Sequence, residues 1–118
     1  MHELGVVKHV IKTLKDVAEE NRVTRVASVT LQIGEVSGII NEQLEDCWNW
    51  YAEKEDLFRG SVLKIETMPA VTFCENCKRE YETVKYGRIC PYCKSPETYL
   101  VTGNQFEIKE IDAETEDD

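Results

Sequence analysis

The sequence predicts an α+β fold: a small three-stranded sheet with two helices, and a four-cysteine module inserted ahead of the last strand. Three observations predict it. An apolar stripe at spacings of three and four opens the chain, alternating apolar and polar segments follow at 27–33 and 63–67, and two Cys-x-x-Cys pairs stand at 74–77 and 90–93. The expected division is 1–69 as an α+β domain, 70–102 as the cysteine module, and 103–118 as a return strand of the first domain with an acidic tail.

Leu4, Val7, Ile11, Leu14 and Ala18 form the stripe of the first helix, widened by Val10 and Val17, while Lys8, Lys12, Lys15, Asp16 and Glu19 fall on the other side. Asn21 is the expected stop, because Asn tolerates the left-handed conformation that ends many helices. Ala27, Val29, Leu31 and Ile33 then alternate with Ser28, Thr30 and Gln32, the pattern of a half-buried strand ending at Gly34. A loop from Gly34 to Ile40 leads to a second helix with Asn41 as N-cap and Glu42 in its first turn. Its buried side reads Leu44, Cys47, Trp48, Tyr51 and Ala52. Leu63, Ile65 and Thr67 alternate with Lys64 and Glu66 as a second strand, and Pro69 marks its exit. After the cysteine module a turn at Gly103-Asn104 hands the chain to a final strand carrying Phe106 and Ile108, with Ile111 near its end. The residues from Glu110 to Asp118 are expected to be disordered, since the run is acidic and nearly without apolar residues.

The chain has 118 residues and a formal net charge of -9. Such an acidic balance argues against nucleic acid as a partner, because binding needs cations to displace counterions from phosphates. Lys78, Arg79, Lys85, Arg88 and Lys94 make the module locally basic, but no basic helix or stacking platform accompanies them. No apolar run approaches the roughly 20 residues that span a bilayer, and the N-terminus does not read as a signal peptide. A cytoplasmic protein, without membrane or nucleic-acid partners, is the expectation.

In that setting two disulfides are disfavoured, and the paired Cys-x-x-Cys motifs read as one metal site. Cys74 and Cys77 make one knuckle, Cys90 and Cys93 the other, and the twelve residues between let the knuckles face each other. Zn²⁺ is the default occupant, since it favours tetrahedral thiolate cages and has no redox chemistry. The spacing also suits a rubredoxin-like knuckle holding iron. Two alternatives follow, a rubredoxin-like electron carrier and a zinc-ribbon nucleic-acid adaptor. An enzyme is not expected: four thiolates leave no open coordination position, and no Ser/His/Asp or paired-carboxylate arrangement is evident. Cys47 reads as a small buried hydrophobe on the second helix. His9 reads as a solvated surface residue.

Met1-His2-Glu3 is a second constellation. A terminal amine, a backbone amide and an adjacent imidazole can enclose one ion in fused chelate rings, and planar nitrogen donors suit Ni(II) and Cu(II). Glu3 is placed to accept a hydrogen bond from the imidazole or to orient the amine.

Taken together, Met1-His2-Glu3-Leu4 at the start of an amphipathic helix, Leu31-Gln-Ile-Gly-Glu-Val-Ser-Gly38 at the end of the first strand, and four cysteines at two thirds of the length resemble the HypA/HybF hydrogenase maturation proteins, which are nickel-delivery metallochaperones. The resemblance covers Met1 to about Ile111. It implies that nickel binds through His2, with the terminal amine of Met1 and the backbone amides of His2 and Glu3 as further donors. It implies a structural zinc on Cys74, Cys77, Cys90 and Cys93. It also implies delivery of nickel to the large subunit of a [NiFe]-hydrogenase, in cooperation with a HypB-type GTPase, and leaves open whether urease is a further client. In one respect the chain departs from some relatives, which place histidines beside the zinc cysteines: here Lys78 and Lys94 follow the second cysteine of each knuckle, so switching through such histidines finds no support.

Overall fold

The computed structural model describes residues 3–116. In chain order these form α1 (Glu3–Glu20), β1 (Val23–Gly34), α2 (Asn41–Ala52), β2 (Val62–Met68), β3 (Val71–Cys74), β4 (Glu80–Glu82), α3 (Thr83–Tyr86), β5 (Thr98–Thr102) and β6 (Phe106–Thr115), with a 3₁₀ turn at Asp56–Phe58. The strands make two three-stranded sheets, ordered β2-β1-β6 and β4-β3-β5. The mixed α+β class is the expected one, and β6 does return to the sheet of β1. The chain divides into two compact units: Met1–Leu31, Ile39–Glu66 and Glu107–Asp118 make the first, and Gln32–Gly38 with Thr67–Phe106 the second.

The first unit is built around two helices that pack against each other. The stripe of α1 buries Val7, Val10, Ile11, Leu14 and Ala18, while Val17 stays exposed at its margin. α2 contributes Leu44, Trp48 and Ala52, and leaves Cys47 and Tyr51 half-buried because they flank the stripe rather than centre it. Trp48 and Phe58 are both fully buried and meet edge to face, with ring centroids 5.8 Å apart and planes at 89°. The indole N–H donates to the Ser61 carbonyl at 3.2 Å, so the polar end of the largest core residue is satisfied. Burying the Phe58 side chain is worth about 1.5–3 kcal/mol.

Three local expectations are corrected. Asn21 does close α1, but by donating its side-chain amide to the Val17 carbonyl at 2.8 Å, and the left-handed residue is Arg22, with φ of 55°. The N-cap of α2 is Ile40 rather than Asn41; its carbonyl accepts from the Leu44 amide at 3.0 Å, and no side chain caps the helix. The acidic C-terminal run is not disordered as far as Glu116. β6 extends to Thr115, with the Glu116 amide donating to the Arg22 carbonyl at 3.1 Å and the Thr24 hydroxyl to the Glu114 carbonyl at 3.2 Å. Sheet pairing supplies those backbone partners. The carboxylates of Glu107, Glu110, Asp112 and Glu114 project outward, while Ile108, Ile111 and Ala113 are half-covered.

β1 departs from the half-buried reading for a different reason. Ser28 and Thr30, on its polar face, are also buried, though less completely than Val29 and Leu31, because β1 is the central strand of its sheet.

In the second unit β3 pairs antiparallel with β4 (Thr72 opposite Tyr81) and with β5 (Phe73 opposite Tyr99). The segment Gly34–Gly38 belongs to this unit and ties its two ends together. Gly34 donates to the Gln105 carbonyl at 2.8 Å, Glu35 to Met68 at 2.9 Å and Val36 to Gly103 at 2.9 Å. The Glu35 carboxylate accepts from the Ala70 amide at 2.6 Å. A Cβ on Gly34 would overlap the Gly103 carbonyl and the Asn104 backbone, so the close approach requires glycine.

Candidate metal centre

Each knuckle begins at the end of a strand or turn and closes with the same pair of hydrogen bonds. The Lys78 amide donates to the Cys74 carbonyl and the Lys94 amide to the Cys90 carbonyl, both at 2.9 Å. The Cys74 amide donates to Arg79 at 2.9 Å and the Cys90 amide to Ser95 at 3.0 Å. The residue after each second cysteine turns left-handed, with φ of 62° at Lys78 and 66° at Lys94. That conformation reverses the chain tightly enough to aim both thiols of a knuckle to one side. It also explains the two lysines as turn positions rather than metal-facing ones.

The four Sγ atoms lie within 4.8 Å of one another, with Cys74 and Cys93 at 3.5 Å and Cys77 and Cys90 at 3.6 Å. A tetrahedral cage with Zn–S bonds of about 2.3 Å has sulfur–sulfur edges of about 3.8 Å, so these residues already stand at cage spacing. None of the four is in a disulfide. Cys74 and Cys90 are fully buried, and with Tyr81 they form the core cluster of the unit, against which Cys77 and Cys93 pack.

The thiols are electrostatically unequal. The Asn76 side-chain amide, 3.3 Å from the Cys93 sulfur, is the main reason that Cys93 is lowered to about 6. Cys77 is pushed up to about 12, first by burial and then by the neighbouring Cys90 and Cys74 side chains. Burial, the largest single influence on Cys90, also works against its ionisation, but the backbone amides of Cys93 and Tyr92 and the neighbouring thiols outweigh it and hold it below the ordinary value. Four thiolates at this spacing repel one another, and a divalent cation is what stabilises them together. The donor set therefore fits a structural zinc.

At the other end of the chain, Glu3 opens α1 with its side chain buried, and its Oε2 finds no hydrogen-bond partner among the described residues. The burial was not legible in the sequence, where Glu3 stood next to the terminus and off the apolar stripe. Met1 and His2, the expected amine and imidazole donors, lie outside the described residues. His9 is exposed on α1. Among the described residues the four cysteines are the one group of metal-ligating side chains brought together, and no helix is long and apolar enough to cross a membrane.

A compact α/β unit joined to a four-sulfur cage that is closed and partly buried defines a metal-binding protein whose cage is architectural. The comparisons narrow this class. The family described as "Hydrogenase/urease nickel incorporation, metallochaperone, hypA" matches residues 1–113. The hydrogenase maturation factor HypA of Psychromonas ingrahamii is 31% identical over 97% of this chain and 99% of its own length. That of Dehalococcoides mccartyi is 26% identical over 98% and 97%. In fold, the chain is similar to the solution structure of the nickel metallochaperone HypA from Helicobacter pylori, with a TM-score of 0.71, 21% identity, and coverage of 98% of this chain and 100% of that one. The chain belongs to the HypA family, which incorporates nickel.

Proposed function

We propose that this protein is a nickel metallochaperone that delivers Ni(II) during maturation of [NiFe]-hydrogenase, with Cys74, Cys77, Cys90 and Cys93 holding a structural zinc and the N-terminus carrying the cargo. The observation that carries the reading is the family match, which reaches back to residue 1 and so takes in Met1-His2-Glu3 as well as the cysteines. Nickel is held by the Met1 amine, the His2 imidazole and the backbone amides of His2 and Glu3. The start of a helix suits this role, since its first amides have no intrahelical acceptor and are free to lose a proton to a metal. The buried Glu3 side chain anchors the backbone there, and its oxygen, without a partner among the described residues, offers an acceptor to an imidazole N–H.

Zinc, when bound, supplies folding energy to a unit whose core is largely its own ligands. Nickel bound at an open terminus exchanges more readily than it would in a closed cage, which suits an ion meant to be handed on. The partners are other maturation proteins, among them a HypB-type GTPase, and the hydrogenase large subunit. Urease is a second client suggested by the family description. The protein acts in the cytoplasm and catalyses no reaction of its own.

Nickel calorimetry on zinc-loaded protein without an N-terminal tag tests this reading. His2→Ala should abolish the specific nickel site with zinc content unchanged, and a residue added before Met1 should be nearly as damaging. Wild-type nickel affinity and stoichiometry in either variant would refute the N-terminal site. An iron-type visible absorption of the purified protein would instead favour the electron-carrier reading.

A further inference from the structure

The two units treat their charges differently. All four ion pairs among the described residues lie in the first unit: Lys15–Glu55, Arg25–Glu114, Arg59–Asp56 and Lys109–Glu66. The cysteine unit has Lys78, Arg79, Lys85, Arg88 and Lys94 alongside Glu75, Glu80, Glu82 and Glu97, yet no ion pair forms among them. Three of these cations lie against rings or backbone without an ion pair, as Lys8 and Lys54 lie over Tyr51 and Trp50 in the first unit. Arg79 sits 4.9 Å from the Tyr92 ring centroid, Lys85 sits 5.3 Å from that of Tyr86, and Lys94 Nζ donates to the Pro91 carbonyl at 3.4 Å.

Lys85 and Lys94 share one surface with Tyr86 and Tyr92. Lys85, Tyr86, Ile89, Tyr92 and Lys94 line a cleft of about 560 Å³ whose wall is Cys90 of the second knuckle. Tyr86, Ile89 and Tyr92 are 43%, 49% and 57% exposed, a dense apolar display for seven consecutive positions. The surrounding backbone is fixed. The Tyr81 hydroxyl donates to the Gly87 carbonyl at 2.9 Å, the Thr98 hydroxyl to the Arg88 carbonyl at 2.6 Å, and the knuckle hydrogen bonds hold Cys90 and Lys94.

We propose that this cleft is a docking surface for an acidic segment of a partner protein, carboxylates flanking an apolar side chain. Exposed tyrosines with unpaired cations beside them have the composition of an interface centre. A cation held over a ring keeps its charge available while giving up some rotamer freedom beforehand, which lowers the cost of docking. Nucleic acid is the poorer fit. It needs a continuous track of cations, whereas this cleft is lined by two lysines on a chain of net charge -9. The surface goes beyond nickel carriage and stands or falls independently of the N-terminal site.

The test is a titration of ¹⁵N-labelled, zinc-loaded full chain with a capped hexapeptide, two glutamates on each side of a leucine-phenylalanine centre. Amide shifts should saturate and cluster between residues 85 and 94, weaken as salt rises, and vanish with the glutamine version of the peptide. Lys85→Glu combined with Lys94→Asn should weaken binding about tenfold; Asn is chosen because Lys94 is left-handed. Tyr92→Ala should weaken it with the charge unchanged, and zinc content should persist in both variants. No saturable shift up to about 1 mM peptide, equal binding of the glutamine version, shifts centred elsewhere, tighter binding of a single-stranded DNA dodecamer, or occupation of the cleft by a second copy of the chain would each overturn the proposal.

Discussion

The two compact units are held together by different means. The first buries Trp48 and Phe58 in contact, together with the stripes of α1 and α2, and would lose nothing from its core if metal were withdrawn. The second has Cys74, Tyr81 and Cys90 at its centre, with Cys77 and Cys93 against them, so the ligands are the core. If the first unit carries nickel as proposed, a fold independent of any metal suits an ion that must leave. A unit whose buried core is mostly its cysteines gains its stability from a cage. The difference can be probed by breaking each unit in turn.

The largest effect should come from Cys90→Ser. Loss of one thiolate opens the cage, and the expected result is loss of zinc and of native amide signals across Thr67–Phe106, while α1 and α2 keep theirs. Zinc retained at full stoichiometry would contradict the cage. Trp48→Ala should act on the other unit, costing about 3–5 kcal/mol in denaturant unfolding with zinc content unchanged. Gly34→Ala comes next. Its methyl group meets backbone at Gly103 and Asn104 rather than a yielding side chain, and about 1–3 kcal/mol of destabilisation is expected in thermal melts.

Smaller effects sharpen the comparison. Asn76 is the main cause of the lowered Cys93 value, so Asn76→Ala should raise it toward the ordinary thiol range. Protons then compete better with zinc, and chelator competition should show the variant losing zinc at a higher pH than the wild type. The least effect belongs to Lys109, raised by its hydrogen bond to Glu66. A raised lysine value contributes stability that is present below its ordinary value of 10.5 and fades as pH climbs past it. Because the pair is exposed, Lys109→Met should lower the melting temperature only marginally at neutral pH, and the difference should disappear in strong alkali.

Sequence periodicity was enough to place α1, β1, α2 and β2, because each carries its pattern over many residues. It failed where a long-range partner decides the outcome. The acidic run after Glu110 becomes strand because β1 supplies hydrogen-bond partners, which local composition cannot reveal. Ser28 and Thr30 look solvent-facing until β1 is known to be central. The role of Gly34 and Glu35 depends on Met68, Ala70 and Gly103, far along the chain. Within the module, the Cys-x-x-Cys spacing alone announced the cage, while α3, at four residues, is too short to show any period.

The proposed function assigns zinc to architecture at the cysteines and nickel to transfer at the N-terminus. The most direct test loads tag-free protein with zinc, titrates it with nickel, and measures both metals in wild type and His2→Ala. One zinc per chain in both proteins, with the specific nickel site present in the wild type and absent in the variant, is the predicted result. A variant that still binds nickel as the wild type does, or that loses its zinc together with its nickel, would contradict it.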